Sequence, residues 1–120
     1  MNWVKARGSC TIRSTFKALR ERVKADVDEF NRLEEADRGC IFAADERGRD
    51  FFSVRSTGNG AVRFQANHTC IAVAGTAQDN GFSVTLRWDD ESDTCHLLVD
   101  GQPLELWQIS KRALTPLLFD

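Results

Sequence analysis

The longest periodic stretch of the chain runs from Ser14 to Arg38 and predicts an α-helix. Its apolar residues recur at steps of three or four, which places them on one stripe of a helix and leaves the remaining positions charged. Ser14 or Thr15 is expected to cap the start, and Gly39 is placed to end the helix in a left-handed conformation. One face of this helix is therefore suited to burial. The stripe consists of Phe16, Leu19, Val23, Val27, Phe30 and Leu33.

From Cys40 onward the period changes from helical to alternating, and turn residues recur at regular intervals, as in an antiparallel meander. The fifth expected strand is the clearest, because apolar residues at positions 82, 84, 86 and 88 alternate with polar ones. Asp100-Gly101 predicts a two-residue hairpin turn between the last two strands. The strands are expected at 40–46, 50–56, 61–66, 69–75, 82–89, 94–99 and 103–107.

Two short segments flank these elements. Residues 1–13 form a basic N-terminal arm that is expected to dock on the body or to add an edge strand. Residues 109–120 predict a short C-terminal helix with Ser110 as its cap, limited to one or two turns by Pro116.

The predicted fold class is α+β, as a single domain over 1–120. The long N-terminal helix at 14–38 packs on a six- to seven-stranded antiparallel meander sheet at 40–107, and a short C-terminal helix follows. Cystatin-like and NTF2-like domains have a comparable architecture, and the likeness is one of architecture and not of residues.

Composition agrees with one globular domain and excludes several classes of protein. The chain has 120 residues, of which 42% are hydrophobic and 28% charged, so neither disorder nor a membrane protein is indicated. No apolar run approaches the roughly 20 residues that cross a bilayer, and the start lacks the hydrophobic core of a signal peptide. A cytoplasmic protein with no membrane association is therefore expected.

The cysteines give no metal-binding pattern. They are far apart in sequence, with no C-x-x-C pair of the kind that holds zinc, and free thiols packed as small hydrophobes are expected. The four are Cys10, Cys40, Cys70 and Cys95.

Charges are sorted along the chain. Residues 1–24 hold seven basic residues and one acid, whereas residues 25–46 hold eight acids and two bases. This order opposes the helix dipole, which favours acids at the N-terminus, so local stability does not explain it. Two copies of the helix laid antiparallel would match basic to acidic halves, which predicts a homodimer with that helix or the C-terminal tail in the contact. The candidate interface residues are Lys17, Arg20, Lys24, Asp28, Glu35, Trp107 and Phe119.

Two adjacent strands combine aromatic and basic residues, a combination that can stack and clamp single-stranded nucleic acid. The candidate contacts are Phe51, Phe52, Arg55 and Arg63. The chain is net acidic and lacks the element order of an RNA-recognition motif, so core phenylalanines flanked by solvated arginines are the competing interpretation.

No motif assigns catalysis. The acidic run from Asp89 to Asp93 lacks the glycine and the bidentate glutamate of an EF-hand loop, and His68 and His96 belong to separate parts of the sheet. No nucleophile elbow, phosphate loop or dinucleotide-binding turn occurs. Catalytic, cofactor-binding and metal-binding residues are therefore not assigned.

The sequence thus predicts a small protein that acts by binding, either to a protein partner or to another copy of itself, with no catalysis of its own. The first alternative is a protein with an NTF2-like or cystatin-like pocket that binds a small ligand and could be enzymatic. An acid such as Asp89 or Asp50 would lie at the mouth of this pocket. Binding of single-stranded nucleic acid is the second.

Overall fold

The computed structural model describes residues 1–33, 39–44, 50–57, 60–75 and 81–119. Within these ranges the seven strands form one antiparallel sheet in sequence order, which confirms the predicted α+β meander. The elements are α1 (Trp3–Gly8), α2 (Ile12–Leu33), β1 (Cys40–Ala44), β2 (Phe51–Ser56), β3 (Gly60–Ala66), β4 (Ile71–Gly75), β5 (Phe82–Asp89), β6 (Thr94–Val99), β7 (Gln102–Leu104) and α3 (Leu106–Leu118).

Helix α2 begins two residues earlier than predicted. The side-chain oxygen of Thr11 accepts the backbone N–H of Ser14 at 3.1 Å, so Thr11 satisfies one of the donors that have no partner within the helix. The prediction of Ser14 or Thr15 as the cap is therefore wrong. The predicted end at Gly39 depends on residues 34–38, which lie outside the described residues.

The apolar stripe of α2 is buried as predicted, except at its last member. Phe16, Leu19 and Val23 are almost completely buried, as are Val27 and Phe30. Leu33 is 75% exposed, and its inclusion in the buried stripe was wrong.

The centre of the core is a group of phenylalanine rings between α2 and the sheet. Phe52 stacks on Phe64 with the ring centroids 4.4 Å apart, and it also contacts Phe16 at 5.1 Å and Phe42 at 5.4 Å. The strand pairing explains this arrangement, because Phe52 lies directly opposite Phe64 and alternate residues of each strand face the helix. We call this side of the sheet the helix face and the other side the open face.

Helix α2 lies diagonally on the sheet. Beyond its N-terminal end, Cys10 is joined to Cys95 in β6, while Asn31 near its C-terminal end contacts Cys40 in β1. Cys95 and Cys40 are five strands apart and also lie at opposite ends of the sheet along the strand direction, so the helix runs partly along the strands and partly across them.

The C-terminal region differs most from the prediction. The last strand is Gln102–Leu104 and not 103–107, because α3 begins at Leu106. The backbone N–H of Glu105 donates to the side chain of Gln108 at 2.8 Å, which fixes the start of this helix. Trp107 is consequently helical.

Ser110 is inside α3 and is not its cap. It is fully buried, and its hydroxyl donates to Asp26 in α2 at 2.7 Å, so it joins the two helices. Pro116 also lies inside α3, and the prediction that it limits the helix to one or two turns is wrong. Pro116 has no N–H to donate to the preceding turn, and the backbone N–H of Phe119 still donates to the carbonyl of Thr115.

Phe52→Ala is expected to lower the free energy of unfolding by about 3–5 kcal/mol, because it removes a fully buried ring that contacts three other phenylalanine rings. Urea titration followed by circular dichroism measures the change. Phe51→Ala is the matched control, since the neighbouring ring is only partly buried and lies on the open face. Equal losses for the two variants would contradict this core arrangement.

Candidate interaction surfaces

The N-terminal arm is the short helix α1, held against β6 by a disulfide between Cys10 and Cys95. Arg7 adds two contacts, an ion pair with Asp90 at 3.2 Å and a position over the Trp88 ring at 5.4 Å. The arm docks on the body as expected and adds no strand. The prediction of free thiols is therefore wrong for these two cysteines. Their spacing in the sequence does not show that the fold brings them together.

The other two cysteines are free thiols. Cys40 is buried, and burial raises the pKa of its thiol, while a hydrogen bond with Ser56 acts in the opposite direction. A thiol with a raised pKa is protonated at neutral pH and is a poor nucleophile. Cys70 is partly buried and accepts a hydrogen bond from the Asn67 amide at 3.4 Å.

The acidic turn between β5 and β6 is organised by its own hydrogen bonds. Asp89 accepts the backbone N–H of Glu91 at 2.9 Å and lies 3.3 Å from the His96 ring. The Glu91 N–H, followed by His96 and Ser92, lowers the pKa of the Asp89 carboxyl. Among the residues that the structure describes, no three histidine, cysteine or acidic side chains form a group that could hold a metal ion.

The pocket predicted between helix and sheet has no support from the position of Asp89. This residue alternates with Trp88 along β5 and belongs to the open face, away from the helices. Asp50 is exposed just before β2. The space between the helices and the sheet is filled by side chains, including Phe16, Phe52 and Ile109.

The candidate nucleic-acid contacts divide between the two faces. Phe51 is partly buried on the open face, and Arg55 and Arg63 are exposed there. Phe52 is completely buried in the core, so its prediction as a stacking residue is wrong. Arg63 pairs with Ser53, two residues before Arg55, and the two arginines are therefore diagonal neighbours.

The candidate interface residues on α2 occupy its outer surface. Lys17, Lys24 and Asp28 are exposed and Arg20 is partly buried, whereas Glu35 lies outside the described residues. Some charges of this helix pair within it, as in the ion pair of Arg22 with Asp26 and that of Glu29 with Arg32. The sorted charges are therefore partly neutralised before any partner is considered.

The two candidate aromatic residues are in α3 and just beyond it. Trp107 is 44% exposed, and its indole N–H donates to Glu105 at 2.6 Å. Phe119 is 71% exposed and packs edge-on against Phe30, with the ring centroids 5.7 Å apart.

Three exposed apolar side chains lie near the first strand, where α2 approaches the edge of the sheet. Leu33 follows Asn31 by two residues, and Phe119 contacts the neighbouring Phe30, so both are on the side of the helices. Ile41 is opposite Arg55 on the open face of β1 and is 54% exposed. We call this region the β1 end. The sequence indicated Phe119 but gave no signal for Ile41, which looks like an ordinary strand residue.

No known protein family, curated protein or solved structure matches this chain. Within the described residues, each helix is too short or too polar to cross a membrane.

Replacing both Cys10 and Cys95 with serine is expected to lower the free energy of unfolding by about 2–5 kcal/mol, because the disulfide joins residues 85 positions apart. Denaturant titration under non-reducing conditions measures this. Cys70→Ser is the control and should leave stability nearly unchanged. The prediction fails if peptide mapping of the non-reduced protein finds Cys10 and Cys95 unlinked.

Proposed function

We propose that this protein acts by binding and that its partner is a second copy of itself. The observation that carries this proposal is the exposure of Leu33, Ile41 and Phe119 at the β1 end. Large apolar side chains exposed on both faces of one sheet edge are typical of an interaction surface, and association through that edge would remove them from solvent. The charged outer face of α2 is a second surface for the same purpose.

A small-ligand pocket, with or without an enzyme activity, has less support. The helices and the helix face of the sheet pack directly on each other, and the largest buried side chains, such as Phe16 and Phe64, lie in the layer that a pocket would occupy. Binding sites for small molecules are concave and largely pre-formed. We therefore propose an interaction protein without catalysis.

The disulfide bears on where such a protein would work. The cytoplasmic location remains a prediction. Disulfides persist in oxidising compartments and are rare where glutathione and thioredoxin keep thiols reduced. The Cys10–Cys95 disulfide therefore supports an oxidising location over the cytoplasm.

Analytical ultracentrifugation tests self-association. The protein concentration is raised about 100-fold from the lowest that can be detected. A monomer–dimer equilibrium is expected, and Phe119→Ser is expected to weaken it about tenfold through the loss of buried apolar area. Val4→Ser is the matched control, because Val4 is similarly exposed on α1. A monomer throughout this range, at low and at physiological salt, would exclude the proposed function. Dissociation only at high salt would assign the contact to the charges of α2.

A second candidate function is the binding of single-stranded nucleic acid on the open face. It is favoured by one observation: Arg63 is a diagonal neighbour of both Arg55 and Phe51, and none of the ion pairs among the described residues includes either arginine. Asp89 is the one acid on this face among the described strand residues, and it pairs with His96. Two neighbouring cations, one of them beside an aromatic ring, can contact a phosphate and a base together.

Fluorescence anisotropy with a short labelled oligonucleotide tests this second candidate. Arg55→Ala and Arg63→Ala should each weaken binding and lower the slope of log affinity against log salt by about 0.7. Lys24→Ala on the outer face of α2 is the control and should change neither quantity. An oligonucleotide that binds all three variants and the parent equally would exclude the open face as the site.

A further inference from the structure

The two edges of the sheet differ in how well they resist pairing with another strand. The β7 edge is three residues long and contains Pro103, which has no N–H to offer. The β1 edge is five residues long, has the sequence CIFAA and carries no charge and no proline. Proteins commonly protect an exposed edge with charge or proline, and β1 has neither.

The hydrogen-bond pattern shows which peptide groups of β1 point outward. The backbone N–H of Ala66 donates to Asp50 at 2.9 Å, so even-numbered residues of β2 bond to β3 and odd-numbered residues face β1. The β1 residues opposite these odd-numbered positions are Ile41 and Ala43. The N–H and C=O groups of Phe42 and Ala44 therefore point away from the sheet.

A side chain confirms this pattern independently. Asn31 of α2 accepts the N–H of Cys40 at 2.8 Å and donates to the C=O of Cys40 at 3.0 Å, which requires both groups to point outward. The amide of Asn31 thus takes the place of a neighbouring strand at Cys40. Among the described residues, none forms a corresponding bond to Phe42 or Ala44.

We propose that β1 pairs antiparallel with β1 of a second copy about a two-fold axis at Ala43, so that the two sheets become one. This inference rests on the proposed self-association and names its contact. In this register Phe42 of each copy lies opposite Ala44 of the other, and their outward N–H and C=O groups form four hydrogen bonds. These are the outward groups for which the described residues supply no partner, and in the pair they satisfy one another.

Asn31 selects this register over its nearest alternative. A two-fold axis at Phe42 would place Cys40 opposite Ala44 of the second copy and would require the peptide groups of Cys40, which Asn31 already holds. The axis at Ala43 needs only Phe42 and Ala44.

The side chains also fit the register centred on Ala43. On the helix face each Phe42 ring meets the small Ala44 of the other copy, so large and small side chains alternate. On the open face the two Ala43 residues meet at the axis, where a non-hydrogen-bonded pair brings Cα atoms to about 4.5 Å. Leu33 and Phe119 flank the strand and would add apolar contact. An edge that matches itself in bonds and in side-chain size favours a second copy over an unrelated strand.

Disulfide trapping tests the register directly. Ala43→Cys, in a Cys70→Ser background, should form an intermolecular disulfide under mild oxidation, because about 4.5 Å between Cα atoms lies within the range that a disulfide spans. Ser53→Cys in the same background is the matched control. Ser53 is opposite Ala43 on the next strand, and symmetry-related copies of it would be about 14 Å apart. Equal trapping at both positions, or at neither, would overturn the proposed contact.

A backbone variant tests the hydrogen bonds themselves. Ala44→Pro removes an outward N–H while leaving the bonds of β1 to β2 in place, and should weaken dimerisation at least about tenfold. Ala44→Ser retains the N–H and should dimerise like the parent protein. Circular dichroism confirms folding of both variants, and the trapping experiment decides the case if the proline variant does not fold.

The outcomes separate this inference from the proposed function. A dimer that Ala44→Pro does not weaken and Ala43→Cys does not trap overturns the β1 pairing while self-association stands. A monomer at every concentration overturns both, and leaves the β1 edge to a strand of another protein.

Discussion

The structure depends on a single constraint: one face of α2 must be buried, and the sheet must be wide enough to bury it. The helix lies diagonally on the sheet, and its stripe packs over the phenylalanine rings at the centre of the helix face. Phe16 contacts the ring of Phe52, while Phe30 lies beside Asn31, which bonds to β1. The buried side chains of α2, α3 and the strands form one cluster, so the whole sheet shares one core with the helices.

The helix, the meander and the strand order could be predicted because each rests on a periodic signal read within a short window. The alternation in β5 needed only eight residues, and that strand matches its predicted bounds. The boundaries that failed depend on competition between neighbouring residues. Thr11 and Ser14 are both good caps, and the sequence does not show which is used. Glu105 with Gln108 starts α3 early, although Leu106 and Trp107 also suit a strand.

The surfaces were harder to predict, because they depend on residues that are far apart in sequence. Phe51 and Phe52 are adjacent and similar, yet one reaches the open face and the other the core, and only the register of β2 decides between them. The link between Cys10 and Cys95 likewise requires knowing that the N-terminal arm docks on β6. No local pattern in the sequence predicts the contact of Asn31 with Cys40. The composition of these surfaces was visible in the sequence, but their location was not.

The order of charges along the chain now has a partial explanation within the molecule. The basic N-terminal segment lies beside the acidic turn between β5 and β6, as the pair of Arg7 with Asp90 shows. A charge that opposes the helix dipole costs only about 0.3–1 kcal/mol, and an exposed ion pair with this turn contributes a similar amount. The acidic half of α2, including Asp28, lies instead toward β1, where two copies joined edge to edge would bring like charges closer. Salt screens such repulsion and leaves backbone hydrogen bonds and apolar contacts largely unaffected. A contact through β1 should therefore tolerate or even gain from added salt, the opposite of a contact between oppositely charged helices.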